Sequence, residues 1–161
     1  MCRSYFRGMS TRREDNFIAG LSMGGYGAVK AAFTYPELFG GCASLSGAMD
    51  IASRTFRINE IDEWRSIFGF SLETAEDLHG TDHDLFELAS RLAKTDSPRP
   101  SVFMWCGTED RLLEANRKLD AHLNELKIDH VYRESEGNHA WKWWDLHIQS
   151  ALNCLLNKEE N

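Results

Sequence analysis

Several common signatures are missing from this 161-residue chain. No apolar stretch approaches the ~20 residues that a membrane-spanning helix needs. The start, Met1-Cys2-Arg3-Ser4-Tyr5-Phe6-Arg7 followed by Thr11-Arg12-Arg13-Glu14-Asp15, has no apolar segment of the secretory type. Both absences lead us to expect a cytoplasmic protein with no membrane partner. Basic residues are in the minority, 18 Lys and Arg against 25 Asp and Glu, which leaves a net charge of -7. No basic stripe could neutralise a row of phosphates, so nucleic acid is not an expected partner. Cys2, Cys42, Cys106 and Cys154 are widely spread and form no C-x-x-C pair. That spacing argues against a zinc site or a disulfide framework, and for buried free thiols. Repeats, low-complexity stretches and linkers are absent too. With 42% hydrophobic residues, the expectation is one domain over 1–161 with a real core.

What is present alternates between two periodicities. Asn16-Phe17-Ile18-Ala19-Gly20 is a short apolar run, and from Gly24 to Phe33 small and apolar residues recur at helical spacing. This reads as strand, sharp turn and helix, with Tyr35-Pro36 ending the helix. Gly41-Cys42-Ala43-Ser44-Leu45-Ser46 follows as a buried parallel strand. Residues 47 to about 100 read as an insertion of short helices, with stripes at Ile61, Trp64, Ile67 and Phe68 and at Leu85, Phe86, Leu88, Ala89 and Leu92. Beyond Ser97-Pro98-Arg99-Pro100 come a strand (101–106), a helix (112–126) and a short alternating strand (129–134). A closing amphipathic helix (141–156) carries Trp144, Ile148, Leu152 and Leu155. Strands alternating with helices predict a parallel sheet covered on both faces.

Three turns in this pattern carry chemistry. Gly20-Leu21-Ser22-Met23-Gly24 is a G-x-S-x-G elbow between a strand and a helix. Such a turn lifts a serine hydroxyl clear of its neighbours, as a nucleophile requires. Gly20 and Gly24 are expected to remove the β-carbons that would clash there. Cys106-Gly107-Thr108-Glu109-Asp110 ends a strand in acid, and Asp110 could orient an imidazole. It could equally cap the next helix, and Glu109 is its immediate rival. Glu136-Gly137-Asn138-His139-Ala140-Trp141 is a loop after the last strand, where a base facing the elbow would sit. His79, His83, His122, His130 and His147 read as solvated or capping residues, and His83 is the one rival base among them. The order Ser22, Asp110, His139 is that of the α/β-hydrolases.

Taken together, Phe17-Ile18-Ala19-Gly20-Leu21-Ser22-Met23-Gly24-Gly25-Tyr26-Gly27, Cys106-Gly107-Thr108-Glu109-Asp110 and Gly137-Asn138-His139-Ala140-Trp141-Lys142-Trp143-Trp144-Asp145 resemble the esterase D group. Within that group the likeness is to bacterial tributyrin esterases, beside S-formylglutathione hydrolases and feruloyl esterases, over almost the whole chain. The resemblance implies the C-terminal portion of an α/β-hydrolase fold: parallel strands, helices on both faces and a helical insertion. It implies hydrolysis of short-chain carboxylic esters with no cofactor or metal, through an acyl-enzyme on Ser22. His139 would serve as base and then acid, Asp110 would hold its tautomer, and the Met23 N–H would donate to the oxyanion. Trp141, beside His139, would line the substrate or else anchor the last helix to the core.

Members of the group carry more chain ahead of the nucleophile strand, including the loop that gives the second oxyanion donor. Only 21 residues precede Ser22 here. The nucleophile strand is therefore expected at a sheet edge, open to pairing with a second copy as a homo-oligomer. Two further readings share the same residues: a catalytically impaired fragment of such an esterase, and an acyltransferase using the same triad.

Overall fold

The computed structural model describes residues 8, 10–53, 61–69 and 71–156. Cys2 lies outside them. Four strands, β1 (Phe17–Leu21), β2 (Gly41–Leu45), β3 (Ser101–Gly107) and β4 (His130–Ser135), form one sheet in the order β1-β2-β3-β4. All three pairings are parallel, with Leu21 beside Leu45, Leu45 beside Trp105, and Gly107 beside Ser135. The carboxyl ends of the strands therefore gather along one edge of the layer, where ligands of open α/β sheets bind.

Period-two alternation sends successive side chains to opposite faces, and each face has its own apolar cluster. Cys42, Val102 and Met104 face one way, towards α1 (Met23–Thr34), α3 (Leu85–Ala93) and α4 (Leu113–Glu125). Ala43, Leu45, Phe103 and Trp105 face the other, towards α5 (Trp141–Leu156). β2 is buried along its whole length, and its small residues Gly41, Cys42, Ala43 and Ser44 let helices approach on both sides. β1 pairs on one side only among the described residues, and Ala19 at its centre is exposed. Among those residues no helix is long and apolar enough to cross a membrane.

The insertion holds α2 (Ile61–Phe68), a single 3-10 turn (Ala75–Leu78) and α3. Its helical stripes are narrower than the sequence pattern suggests. Trp64 is buried, with Ile61 and Phe68 packed against the same cluster, but Ile67 is exposed. In α3, Leu85, Leu88, Ala89 and Leu92 are buried, whereas Phe86 lies at the margin beside His122. Leu152 of α5 is likewise exposed, and Ala151 occupies the core position expected of it. Cys42 and Cys106 are buried free thiols, and Cys154 is half-buried.

Candidate active site

Ser22 stands between β1 and α1 with φ 53° and ψ -122°, a backbone conformation costly for any residue with a side chain. Neighbouring backbone holds it there. The Ser22 N–H donates to Leu45 O at 3.0 Å, and the Ser22 carbonyl accepts from the N–H groups of Gly25, Tyr26 and Ala48 at 3.1, 3.2 and 3.1 Å. β2, the loop after it and the first turn of α1 thus close around the serine.

The glycines of the elbow divide differently from the expectation. A β-carbon on Gly20 would lie 2.2 Å from the Gly24 carbonyl oxygen, so Gly20 is required. One on Gly24 would meet no atom within 4 Å, because Gly24 presents its carbonyl to the strand and its α-carbon to open space. The second crowded position is Gly25, where a β-carbon would lie 2.3 Å from Ser44 Oγ and 3.1 Å from Gly47 Cα. Gly24 therefore does not have the packing role expected of it; Gly25 does. Met23 and Gly24 head α1, and the first intrahelical donor is the Gly25 N–H. The Met23 N–H, in the first turn of α1, is one of the helix-start amides that have no intrahelical acceptor.

Asp110 follows β3 in a tight turn, its N–H donating to Gly107 O at 3.0 Å. This turn interlocks with the histidine loop. The Glu109 N–H donates to Gly137 O at 2.8 Å, and a β-carbon on Gly107 would sit 2.2 Å from that same oxygen. The Asp110 carboxylate is fully enclosed (0% exposed), while Glu109 faces solvent. The capping reading of Asp110 is met only in part: Leu112 is the N-cap of α4, and Asp110 braces the turn ahead of it while also facing the imidazole. Its Oδ1 accepts from the Leu112 N–H at 2.9 Å at the start of α4, and both its oxygens face the imidazole.

His139 completes the line. Its Nδ1 lies 2.9 Å from Asp110 Oδ2 and 3.1 Å from Oδ1, and its Nε2 lies 2.9 Å from Ser22 Oγ. With a buried carboxylate on the Nδ1 side, the proton belongs on Nδ1, and Nε2 is left to accept from the serine hydroxyl. The three sequence-predicted side chains therefore meet in one hydrogen-bonded chain, although 117 positions separate the serine from the histidine. Cys106, nearby at the end of β3, is no competing nucleophile: burial, and then the charge of Asp110, pushes its thiol up to about 12.

The other histidines have partners of their own. His83 accepts from Lys30 Nζ at 2.7 Å on the far side of α1. The solvated or capping reading fails for His130 and His147. The His130 side chain is enclosed (4% exposed) and bonded to Asp120 at 2.8 Å. His147 stacks on Trp105 with ring centroids 4.0 Å apart and reaches Ser135 Oγ at 3.1 Å. Both contacts join distant segments, and periodicity carries no signal for them. Among the described residues no group of three or more His, Cys, Asp and Glu side chains is placed to hold a metal ion.

The last helix brings two tryptophans to the site. Trp141 is 72% exposed and is not anchored in the core; its ring meets that of Trp144 edge-on at 5.5 Å. Trp144 is buried and meets the His139 ring at 4.9 Å and 87°. Helical periodicity places Trp144 inside, but not against the imidazole. That contact depends on where the loop before α5 turns.

The family model described as "Putative esterase" matches residues 6–155. The chain belongs to this esterase family. An acetyl esterase from Caldicellulosiruptor saccharolyticus is 35% identical over 151 residues, which cover 89% of this chain and 55% of that protein. Among solved structures, the Staphylococcus aureus fluorophosphonate-binding serine hydrolase FphF superposes with a TM-score of 0.84 at 27% identity. That match covers 98% of this chain and 60% of the other. The S-formylglutathione hydrolase FrmB of Staphylococcus aureus gives 0.80 at 27% identity, over 97% of this chain and 60% of that one. The fold is that of the α/β-hydrolases, and this esterase-family chain spans little more than half the length of the relatives it matches.

Proposed function

We propose that the chain carries the catalytic apparatus of a serine carboxylesterase that hydrolyses short-chain acyl esters through an acyl-enzyme on Ser22. The observation that carries this reading is the unbroken line from Asp110 through His139 to Ser22, with contacts of 2.9 Å at each end of the imidazole. Kinship with an acetyl esterase supports a small acyl group.

In this mechanism Ser22 Oγ attacks the ester carbonyl while His139 Nε2 takes the hydroxyl proton. Asp110 keeps the Nδ1 proton in place and stabilises the imidazolium that forms. The carbonyl oxygen becomes an oxyanion that accepts from the Met23 N–H; one such donor is worth about 10²–10³ in rate. Collapse expels the alkoxide, which takes the proton from His139, and leaves an ester on Ser22. Water then attacks that ester with His139 again as base. The carboxylic acid departs, and the serine recovers its proton. The exposed ring of Trp141, beyond Trp144, supplies an apolar wall for the bound ester.

Hydrolysis of p-nitrophenyl acetate tests this directly. The expected result is turnover by the chain, covalent labelling by a fluorophosphonate, and loss of both in Ser22→Ala. Equal rates for the two proteins would remove Ser22 from the mechanism.

A further inference from the structure

Ser46 is the second strained serine of the fold. It follows β2 with φ 49°, is fully buried, and donates its N–H to Trp105 O at 2.7 Å. Glycine would fit this left-handed backbone at lower cost, so a side chain kept here needs a use. Its hydroxyl has one: Ser46 Oγ accepts from Trp144 Nε1 at 3.1 Å, in a contact buried on both sides. Trp144 in turn sets its ring at 87° to that of His139, with centroids 4.9 Å apart.

The imidazole needs such a contact. Its bonds to Asp110 and Ser22 leave from opposite edges of the ring and define an axis; they do not fix the tilt of the ring about that axis. A rigid aromatic partner at right angles does, provided it is itself fixed. The favoured edge-to-face geometry supplies the first condition, and the bond to Ser46 supplies the second.

We infer that Trp144, anchored by the Ser46 hydroxyl, is a positioning residue that sets the tilt of the His139 imidazole between Asp110 and Ser22. This rests on the proposed esterase mechanism for its kinetic consequence, though not for its geometry. Ser46 thereby links the end of β2, the strand between those that carry Ser22 and Asp110, to the base.

Two measurements on the full chain test the inference, using Ser46→Ala, Trp144→Phe and the double variant. Phenylalanine keeps a ring beside His139 but has no N–H to give Ser46. Each single change is expected to lower kcat for p-nitrophenyl acetate about tenfold, since small misplacements of catalytic groups carry penalties of this order. KM should hold, because no substrate contact is lost. The double variant should be no slower than the slower single one, because Ser46 acts through the indole N–H. Independent, multiplicative losses would overturn the inference. The second measurement is the set of NMR cross-peaks between His139 and Trp144 ring protons, expected in the parent and weakened in Ser46→Ala. Unchanged cross-peaks together with unchanged kcat would also overturn it. If the parent chain shows neither turnover nor labelling of Ser22, the esterase reading fails, and the cross-peaks alone decide the positioning role. Should Ser46→Ala not fold, Ser46→Gly, which suits the local backbone, carries both measurements, and Trp144→Phe carries the rate.

Discussion

Asp110 offers the sharpest test, because one carboxylate does two jobs that different substitutions separate. Oδ1 accepts from the Leu112 N–H at 2.9 Å, and the Oδ2 side faces His139 Nδ1 at 2.9 Å. In Asp110→Asn the amide oxygen can keep the Leu112 bond, so stability should change by less than about 1 kcal/mol. The amide nitrogen then points at His139 and donates to Nδ1, which moves the ring proton to Nε2. An imidazole in that tautomer cannot take the Ser22 proton. The analogous change in a serine protease triad lowers kcat about 10⁴-fold, equivalent to about 5.4 kcal/mol at 1.36 kcal/mol per decade. Asp110→Ala should lose the same activity and the bond to the Leu112 N–H as well, a further ~1 kcal/mol, or about 2–4 °C in melting temperature for a chain of this size. Rates with p-nitrophenyl acetate and thermal melts of the three proteins separate the two jobs. An Asn variant within tenfold of the parent rate would reduce Asp110 to a brace for the turn before α4 and break the proposed mechanism.

The elbow glycines make an internal comparison. Gly24→Ala should be neutral or stabilising by about 0.4–1 kcal/mol, since its β-carbon meets nothing and the helix gains propensity. Gly25→Ala must push against Ser44 and Gly47 and should cost about 1–3 kcal/mol; equal melting temperatures would show that the elbow is not packed as described. Acid should destabilise the fold in a way that His83 reports. Burial, and then the charge of Lys30, lowers the His83 value; burial alone lowers that of His147. The unfolded chain binds protons near pH 6.5, before these folded groups do, so their stabilisation is present above about pH 6.5 and is lost as pH falls through the lowered folded values. Urea midpoints at pH 7.5 and 5.5 should therefore diverge less in His83→Gln than in the parent, and an identical divergence refutes the role given to His83. The edge of β1 that is unpaired among the described residues is expected to support self-association, with Ala19→Lys shifting light-scattering mass towards the monomer. A parent chain that is monomeric at every concentration would rule this out.

Much of the scaffold is legible in the chain because strong local signals agree there. Each predicted strand lies within one or two residues of an observed one, since short apolar runs ending in glycine or acid are bounded on both sides. The three catalytic candidates stand at turns, where residue type is tied to geometry: glycine for close approach, acid at a strand end, histidine in a loop. What escapes is set by tertiary neighbours. Gly24 and Gly25 are indistinguishable in sequence, and only the position of Ser44 shows which one is crowded. The enclosure of His130 and the stack of His147 on Trp105 depend on pairings across the sheet. Ser46 reads as the last residue of an apolar run, and nothing in that run predicts its left-handed backbone or its bond to Trp144.

The same distinction separates the chemistry of the site from its specificity. The bonds that fix the catalytic line include those of the Ser22 backbone with Leu45 and Ala48, of the Glu109 N–H with Gly137 O, and of Asp110 with the Leu112 N–H. A substrate pocket needs walls as well. Among the described residues, one depression of about 560 Å³, lined by Arg12, Glu14, Asp15, Phe17, Leu155 and Leu156, lies at the amino end of β1. Ser22 follows the other end of that strand, across the sheet layer, so this depression cannot present an ester to it. Among the described residues, Met23 and Trp141, close in sequence to Ser22 and His139, are large apolar side chains left exposed, so the elbow and the head of α5 both offer apolar surface next to the catalytic line.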